Sequence, residues 1–233
     1  VLRETSHTAA TSDVLCDLDA LQTLMFFATG QYPLAVESGQ RVLTSSACRR
    51  THSRRLAVFF LSLSLYALQG EVAANELLAH VLDDPLEEAA VKVQVLLALC
   101  HLGNLTCRPA QQEHTAGALL RLAQEQGMDV SAAWARHLLG RSFYERYDLE
   151  EAARHFSVVL EQRYLAHFVC ARDTFMWLAL SYQGLGRSQE ADAVAAALQA
   201  FCVERGLAND PELDTFYARL ALLLQGEGHA VLV

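Results

Sequence analysis

The chain has 233 residues and a net charge of −9, from 27 acidic residues against 18 basic, with Lys92 its single lysine; that balance argues against direct nucleic-acid binding. With 52% hydrophobic residues and four prolines, it has ample apolar surface for a continuous core. Its longest apolar run, Leu56 to Leu68, is too short to cross a bilayer and contains Ser62 and Ser64, so neither a membrane span nor a membrane partner is expected. The opening VLRETSHTAATSD lacks the apolar centre of a signal peptide, which points to a cytoplasmic address.

Helical spacing of apolar residues runs through the whole chain, and no stretch alternates in the manner of a strand. The first helix is expected from about Asp13 to Thr29, closed by Gly30. Its partner is expected from Pro33 to about Ser45, with proline well placed in a first turn. A second pair covers about His52 to Gln69 and Glu71 to Val81, around Gly70. Asp84-Pro85-Leu86-Glu87 reads as a cap, a proline and a returning glutamate. It opens a third pair, about 85 to 102 and 109 to 126.

The stretch Ser131 to Gln162 carries the pattern most fully. Trp134, Leu138, Leu139, Gly140 and Phe143 form the stripe of a half-buried helix. Asp148 and Glu151 suggest a capping box for the next helix, where Ala152, Phe156 and Val159 continue the spacing. Gly140 and Ala152 stand where the two helices cross most closely, and Tyr147 takes the tight turn. A fifth pair follows at about Ala166 to Gln183 and Ser188 to Glu204, around Gly186. Asp210-Pro211 starts a last long helix, closed by Gly226. Counting these units gives six pairs with a repeat of about 39 residues and eleven helices.

Leu139-Gly140, Phe143, Tyr144, Ala152 and Phe156 match the wording of a tetratricopeptide repeat. The expected fold is therefore all-α: one right-handed α-solenoid of TPR-like pairs over residues 1–233, with the first helix of each pair lining the concave surface. The segments LLGRSFYERYDLEEAARHFSVVLEQRYLAH and LALSYQGLGRSQEADAV resemble the helical-repeat region of MalT-like, LuxR-type signal-transducing ATPases. In that family the repeats lie between a nucleotide-binding module and a DNA-binding helix-turn-helix. They sense an inducer and take part in self-association. The resemblance thus implies a cytoplasmic sensor segment whose partner is a small-molecule inducer or a regulatory protein. The chain holds no G-x-x-x-x-G-K-[ST] and no helix-turn-helix after Gly226, so this segment is expected neither to hydrolyse ATP nor to read DNA. A free-standing adaptor gripping a partner peptide is the alternative.

The apolar end, Phe216 to Leu224 followed by Ala230 to Val233, and the start at Val1 suggest an array cut from a longer chain that self-associates through that end. Cys16, Cys48, Cys100, Cys107, Cys170 and Cys202 are scattered about one per repeat with no C-x-x-C, and are expected as buried, reduced thiols. Cys100, His101, Cys107 and His114 fit no trusted metal spacing, so no metal and no cofactor is expected. The basic run Arg49-Arg50-x-His52-x-Arg54-Arg55 reads as a solvated loop and helix start.

Catalysis finds no support, since Glu150, Glu151, Glu161, Glu190 and Asp192 fall on faces expected to be solvated. The chain is expected not to be an enzyme. The candidate binding stripe is Trp134, His137, Arg141 and Tyr144, one side of a single helix, offering two rings, an imidazole and a guanidinium. Arg172 opens the next first helix, and Arg163 and His167 lie in the connection. Against this stands a purely structural reading, in which Trp134 and Tyr144 pack against neighbouring repeats and Arg141 answers Glu145.

Overall fold

A computed structural model describes residues 2–50, 52–206 and the backbone at Ala218, with side chains of 12–48 and 52–206. Among the described residues there are ten α-helices and no strand: α1 (Leu2–Ala28), α2 (Tyr32–Thr44), α3 (His52–Gln69), α4 (Glu71–Asp83), α5 (Ala89–Leu105), α6 (Pro109–Glu125), α7 (Asp129–Glu145), α8 (Leu149–Glu161), α9 (Phe168–Gly184) and α10 (Ser188–Glu204). A 3-10 turn at Ala47–Arg50 precedes α3. The expected helix from Asp210, the face from Phe216 to Leu224, Gly226 and the side chains of Arg49 and Arg50 lie outside the described residues.

Every expected hairpin turn among these residues is present, and one backbone device recurs in them. Gly30, Gly70, Cys107, Tyr147 and Gly186 all hold positive φ, between 54° and 87°, at successive separations of 40, 37, 40 and 39 residues. The residue after four of them donates its N–H five residues back: Gln31 to Phe26 O, Arg108 to Gly103 O, Asp148 to Phe143 O and Arg187 to Tyr182 O. In these four a helix C-terminus satisfies its last carbonyls through a left-handed residue, a conformation glycine adopts without strain. Gly70 differs, with ψ of −174° and only its own N–H reaching back to Tyr66 O, and Gly127 and Gly206, which follow α6 and α10, also hold positive φ. The turn near position 110, which has no glycine, is made by Cys107. Tyr147 holds the same conformation with its side chain 78% exposed, so it gains little packing in return. Tyr147→Gly is expected to stabilise the chain by about 1 kcal/mol in chemical denaturation. A loss of stability would show that the phenol contributes more than the strain costs.

The chain divides into two compact units, Val1–Arg108 with Arg121–Gly127, and Pro109–Leu120 with Met128–Val233. In the first, α1 packs on α2 and α3, and α3 on α4 and α5. Its core is built on Val58, Leu61, Leu78, Val91 and Val95. In the second, α7 packs on α8, α8 on α9 and α9 on α10, with α7 also touching α9. Phe156 is the largest fully buried side chain there. In both units, then, the first helix of one hairpin meets the first helix of the next, the contact pattern of stacked helical hairpins.

Several local expectations are corrected. α5 starts at Ala89, not at 85, because Asp84 Oδ1 accepts from Leu86 N–H at 2.9 Å and holds a local turn. Glu87 does not return to cap that helix. It is buried against Arg54, whose Nε and terminal nitrogen donate to Glu87 Oε2 at 2.9 and 2.7 Å, while a third N–H reaches Leu43 O at 2.8 Å. Arg54, read as part of a solvated run, is therefore an internal tie between α3, the end of α2 and the 84–88 turn. At α8 the capping box does not form: Asp148 makes no side-chain cap bond, and Glu151 pairs with Arg154 Nε at 2.9 Å. Gly140 marks a close approach to α8, with the Phe156 ring nearest. A Cβ built there would lie 2.5 Å from the ring.

The thiol expectation also fails in two places. Cys16 and Cys48 form a disulfide that ties α1 to the 3-10 turn, both sulfurs buried in a small cluster with Ala20, Val42 and Ala57. Cys107 is free but exposed, since the left-handed turn turns it outward. Cys100, Cys170 and Cys202 are free and buried as expected. No helix among the described residues is long and apolar enough to cross a membrane.

Candidate functional site

The candidate stripe on α7 lies beside α9, and the contact decides which of its residues face solvent. His137 is only 3% exposed. Its Nδ1 lies 2.8 Å from Thr174 Oγ1, and the Thr174 hydroxyl donates to Cys170 O at 2.6 Å. A carbonyl can only accept, so the single hydroxyl hydrogen is committed and His137 must donate from Nδ1. The expectation of an accessible imidazole is therefore corrected. One helix wheel puts His137 on the stripe, but α9 covers that part of it.

Arg141 and Tyr144 remain half-buried at the surface. The Arg141 guanidinium lies 4.8 Å from the centre of the Trp177 ring and bonds Glu145 Oε1 at 3.1 Å. Tyr144 meets the same indole edge-on, with ring centres 5.0 Å apart. Burial, and to a smaller degree Tyr147, pushes the Tyr144 hydroxyl above its ordinary pKa, so it stays a neutral donor. Trp134 packs edge-on against His137 and stacks on His167, with ring centres 6.3 Å apart. His167 caps α9, its Nδ1 accepting from Val169 N–H at 3.3 Å. Arg172 pairs with Asp173 at 2.9 Å.

Of the seven expected residues, five thus form one neighbourhood: Trp134, His137, Arg141, Tyr144 and His167. Arg172 is engaged by its own neighbour, and Arg163 belongs elsewhere. The structural reading holds for Arg141, which pairs with Glu145, and for Trp134 and Tyr144, which pack on His167 and Trp177 beyond their own hairpin. What remains for a ligand is a guanidinium over the Trp177 ring, with the Tyr144 ring against the same indole, suited to a hydroxyl-rich or anionic group. Trp177 and Thr174 were missed because the stagger between α7 and α9 is not written in either helix.

Arg163 borders a separate cleft of about 230 Å³ at the ends of α8 and α10, lined also by Leu160, Phe175, Ala197, Ala200, Phe201 and Glu204. Its N–H groups reach Leu160 O and Tyr164 Oη, both at 3.3 Å, and the Tyr164 hydroxyl donates to Glu204 Oε2 at 3.1 Å.

One titratable group on the far side of α7 has a pH consequence. His155 is 8% exposed, stacked on Phe143, and its buried Nδ1 has no hydrogen-bond partner among the described residues. Burial, then the Arg154 and Arg136 charges, push its pKa down from 6.5 to about 4, with Glu151 opposing. The folded chain holds the imidazole neutral where the unfolded chain would take up a proton. Stability is therefore full above pH 6.5, falls as the pH drops towards 4, and levels below that. The expected loss is about 2 kcal/mol, allowing for solvent near the ring. The His155→Phe variant should lack that part of the pH dependence in denaturation curves at pH 7 and pH 4.5; equal pH slopes for both proteins would refute it.

No protein-family model matches the chain, and no curated protein matches it either. Among the described residues no three His, Cys, Asp or Glu side chains converge as a metal site requires.

Proposed function

We propose that this chain is the helical-repeat sensor segment of a MalT-like, LuxR-type transcriptional regulator, built of TPR-like pairs in a right-handed solenoid. On this reading it is cytoplasmic, without catalysis of its own. It binds an inducer or a regulatory protein on the first-helix side and couples that event to self-association. The observation that carries the reading is the recurrence of a positive-φ residue between the two helices of each hairpin every 37 to 40 residues, since repeats so built stack and present successive first helices side by side. The half-buried surface best suited to a ligand is Arg141 with Tyr144 and Trp177.

The adaptor reading is weaker on one observation. A clamp for a peptide carboxylate needs unneutralised cations on successive first helices, whereas Arg141 and Arg172 each carry an acidic partner on their own helix. Arg141→Ala combined with Tyr144→Ala is expected to abolish the ligand response of the full-length regulator, with helical content and melting temperature nearly unchanged. A response that survives both changes would sink this placement. A parent reading frame without a nucleotide-binding module or a helix-turn-helix would sink the regulator reading itself.

A further inference from the structure

The Arg163 cleft has a charge arrangement that helix packing does not require. Its floor is apolar, formed by Leu160, Phe175 and Phe201, all buried, with Ala197 and Ala200 as low walls. At its rim, among the described residues, stand Arg163 and Glu204, and the Arg205 guanidinium lies beside them, 5.2 Å from the centre of the Phe201 ring and 5.8 Å from that of Tyr164. Arg163 and Glu204 are both hydrogen-bonded to a single oxygen, Tyr164 Oη, at 3.3 and 3.1 Å, so their charged ends are held within two hydrogen bonds of each other. The Tyr164 hydroxyl donates to Glu204 and accepts from Arg163, which fixes the order of the triad. Among the described residues Arg163 has two N–H groups committed, of the five a guanidinium carries, and Glu204 Oε1 makes no hydrogen bond.

From this geometry we infer that the cleft binds a free apolar α-amino acid. The volume of about 230 Å³ lies below the range of drug-sized sites, which suits a molecule of that size. A carboxylate facing Arg163 gains charge-assisted hydrogen bonds, and an ammonium facing Glu204 does the same. The side chain enters the apolar floor and leaves water. A plain amine would meet the guanidinium groups of Arg163 and Arg205, and a plain carboxylate would leave Glu204 unmatched by the ligand. A molecule with both charges at one end and an apolar body at the other satisfies rim and floor together. The inference deepens the sensor reading by giving it a ligand class, at a second place in the same unit.

The test is calorimetric titration of the full chain with L-leucine, 4-methylpentanoate and 3-methylbutylamine, which share the apolar body and differ in the charged groups. L-leucine is expected to bind saturably, and each one-charge analogue at least ten-fold more weakly. Arg163→Gln and Glu204→Gln should each weaken L-leucine by a similar factor, with melting temperatures unchanged because both side chains reach solvent. Ala200→Phe, which fills the cleft from an exposed position, should abolish binding. No saturable L-leucine binding at about 10 mM, or equal binding of 4-methylpentanoate, would overturn the assignment, as would binding that persists in all three variants. Failure here leaves the sensor reading to its own test at Arg141 and Tyr144. Conversely, L-leucine binding with no response in the parent regulator would keep the cleft and remove the sensor role.

Discussion

Gly140→Leu is expected to lower the unfolding free energy of the second unit by about 3 kcal/mol. The reason is local and severe. A Cβ at position 140 would stand 2.5 Å from Phe156 Cε1 and 2.8 Å from two further ring atoms, before any of the leucine side chain is added. Phe156 cannot simply turn aside: it is fully buried, with His137 packed against it at 5.9 Å between ring centres. Relief must come from moving α7 off α8, which opens gaps along the whole crossing. Gly140→Ala should already cost a substantial part of this. Phe156→Leu combined with Gly140→Ala should recover some of it, because the smaller side chain vacates the space the new methyl needs. Denaturation of the parent, Gly140→Ala, Phe156→Leu and the double variant gives the coupling directly. A Gly140→Leu variant as stable as the parent would mean that the two helices do not approach as described.

That crossing was legible in the sequence because it rests on short-range periodicity. The same holds for α3 and α10, whose limits at His52–Gln69 and Ser188–Glu204 follow from the apolar spacing and its flanking glycines. Tyr147 could be placed in a left-handed turn because it stands 39 residues before Gly186, and the structure gives it φ of 64°. The losses share another cause. Arg54 with Glu87, His137 with Thr174, and Cys16 with Cys48 are pairs 33, 37 and 32 residues apart, each joining different helices or turns. Pairing across a repeat depends on how neighbouring hairpins are staggered, and periodicity fixes the helices without fixing the stagger. The missed capping boxes have a different origin. Asp84 and Glu151 each had a competing partner close by, Leu86 N–H and Arg154 respectively, and a local hydrogen bond took precedence over the cap.

Reduction of the Cys16–Cys48 disulfide is expected to destabilise the first unit by about 4 kcal/mol, the chain-entropy value for closing a loop of this length. Two features raise the effect above that of an ordinary surface bridge. The sulfurs are two of the five buried members of their cluster, so separating them also loosens the contact of α1 with Val42 and Ala57. Among the other ties there, the Thr23 and Ser38 hydroxyls meet in the interior at 3.1 Å, Ser53 bonds Asp17, and Arg41 bonds Asp19 at 2.7 Å close to solvent. Ion pairs so exposed contribute about 1 kcal/mol or less, too little to replace the bridge. Titrating thiols in denaturant should therefore find four per chain without reductant and six with it. Limited proteolysis should cut within α1 far faster once the bridge is open. Cys16→Ala with Cys48→Ala should reproduce the reduced behaviour and no longer respond to reductant. Six thiols in protein alkylated inside the cell would show that the chain keeps the pair reduced there, as the proposed cytoplasmic address requires, since cytosolic disulfides are rare. Four would place its folding in an oxidising compartment and remove that address.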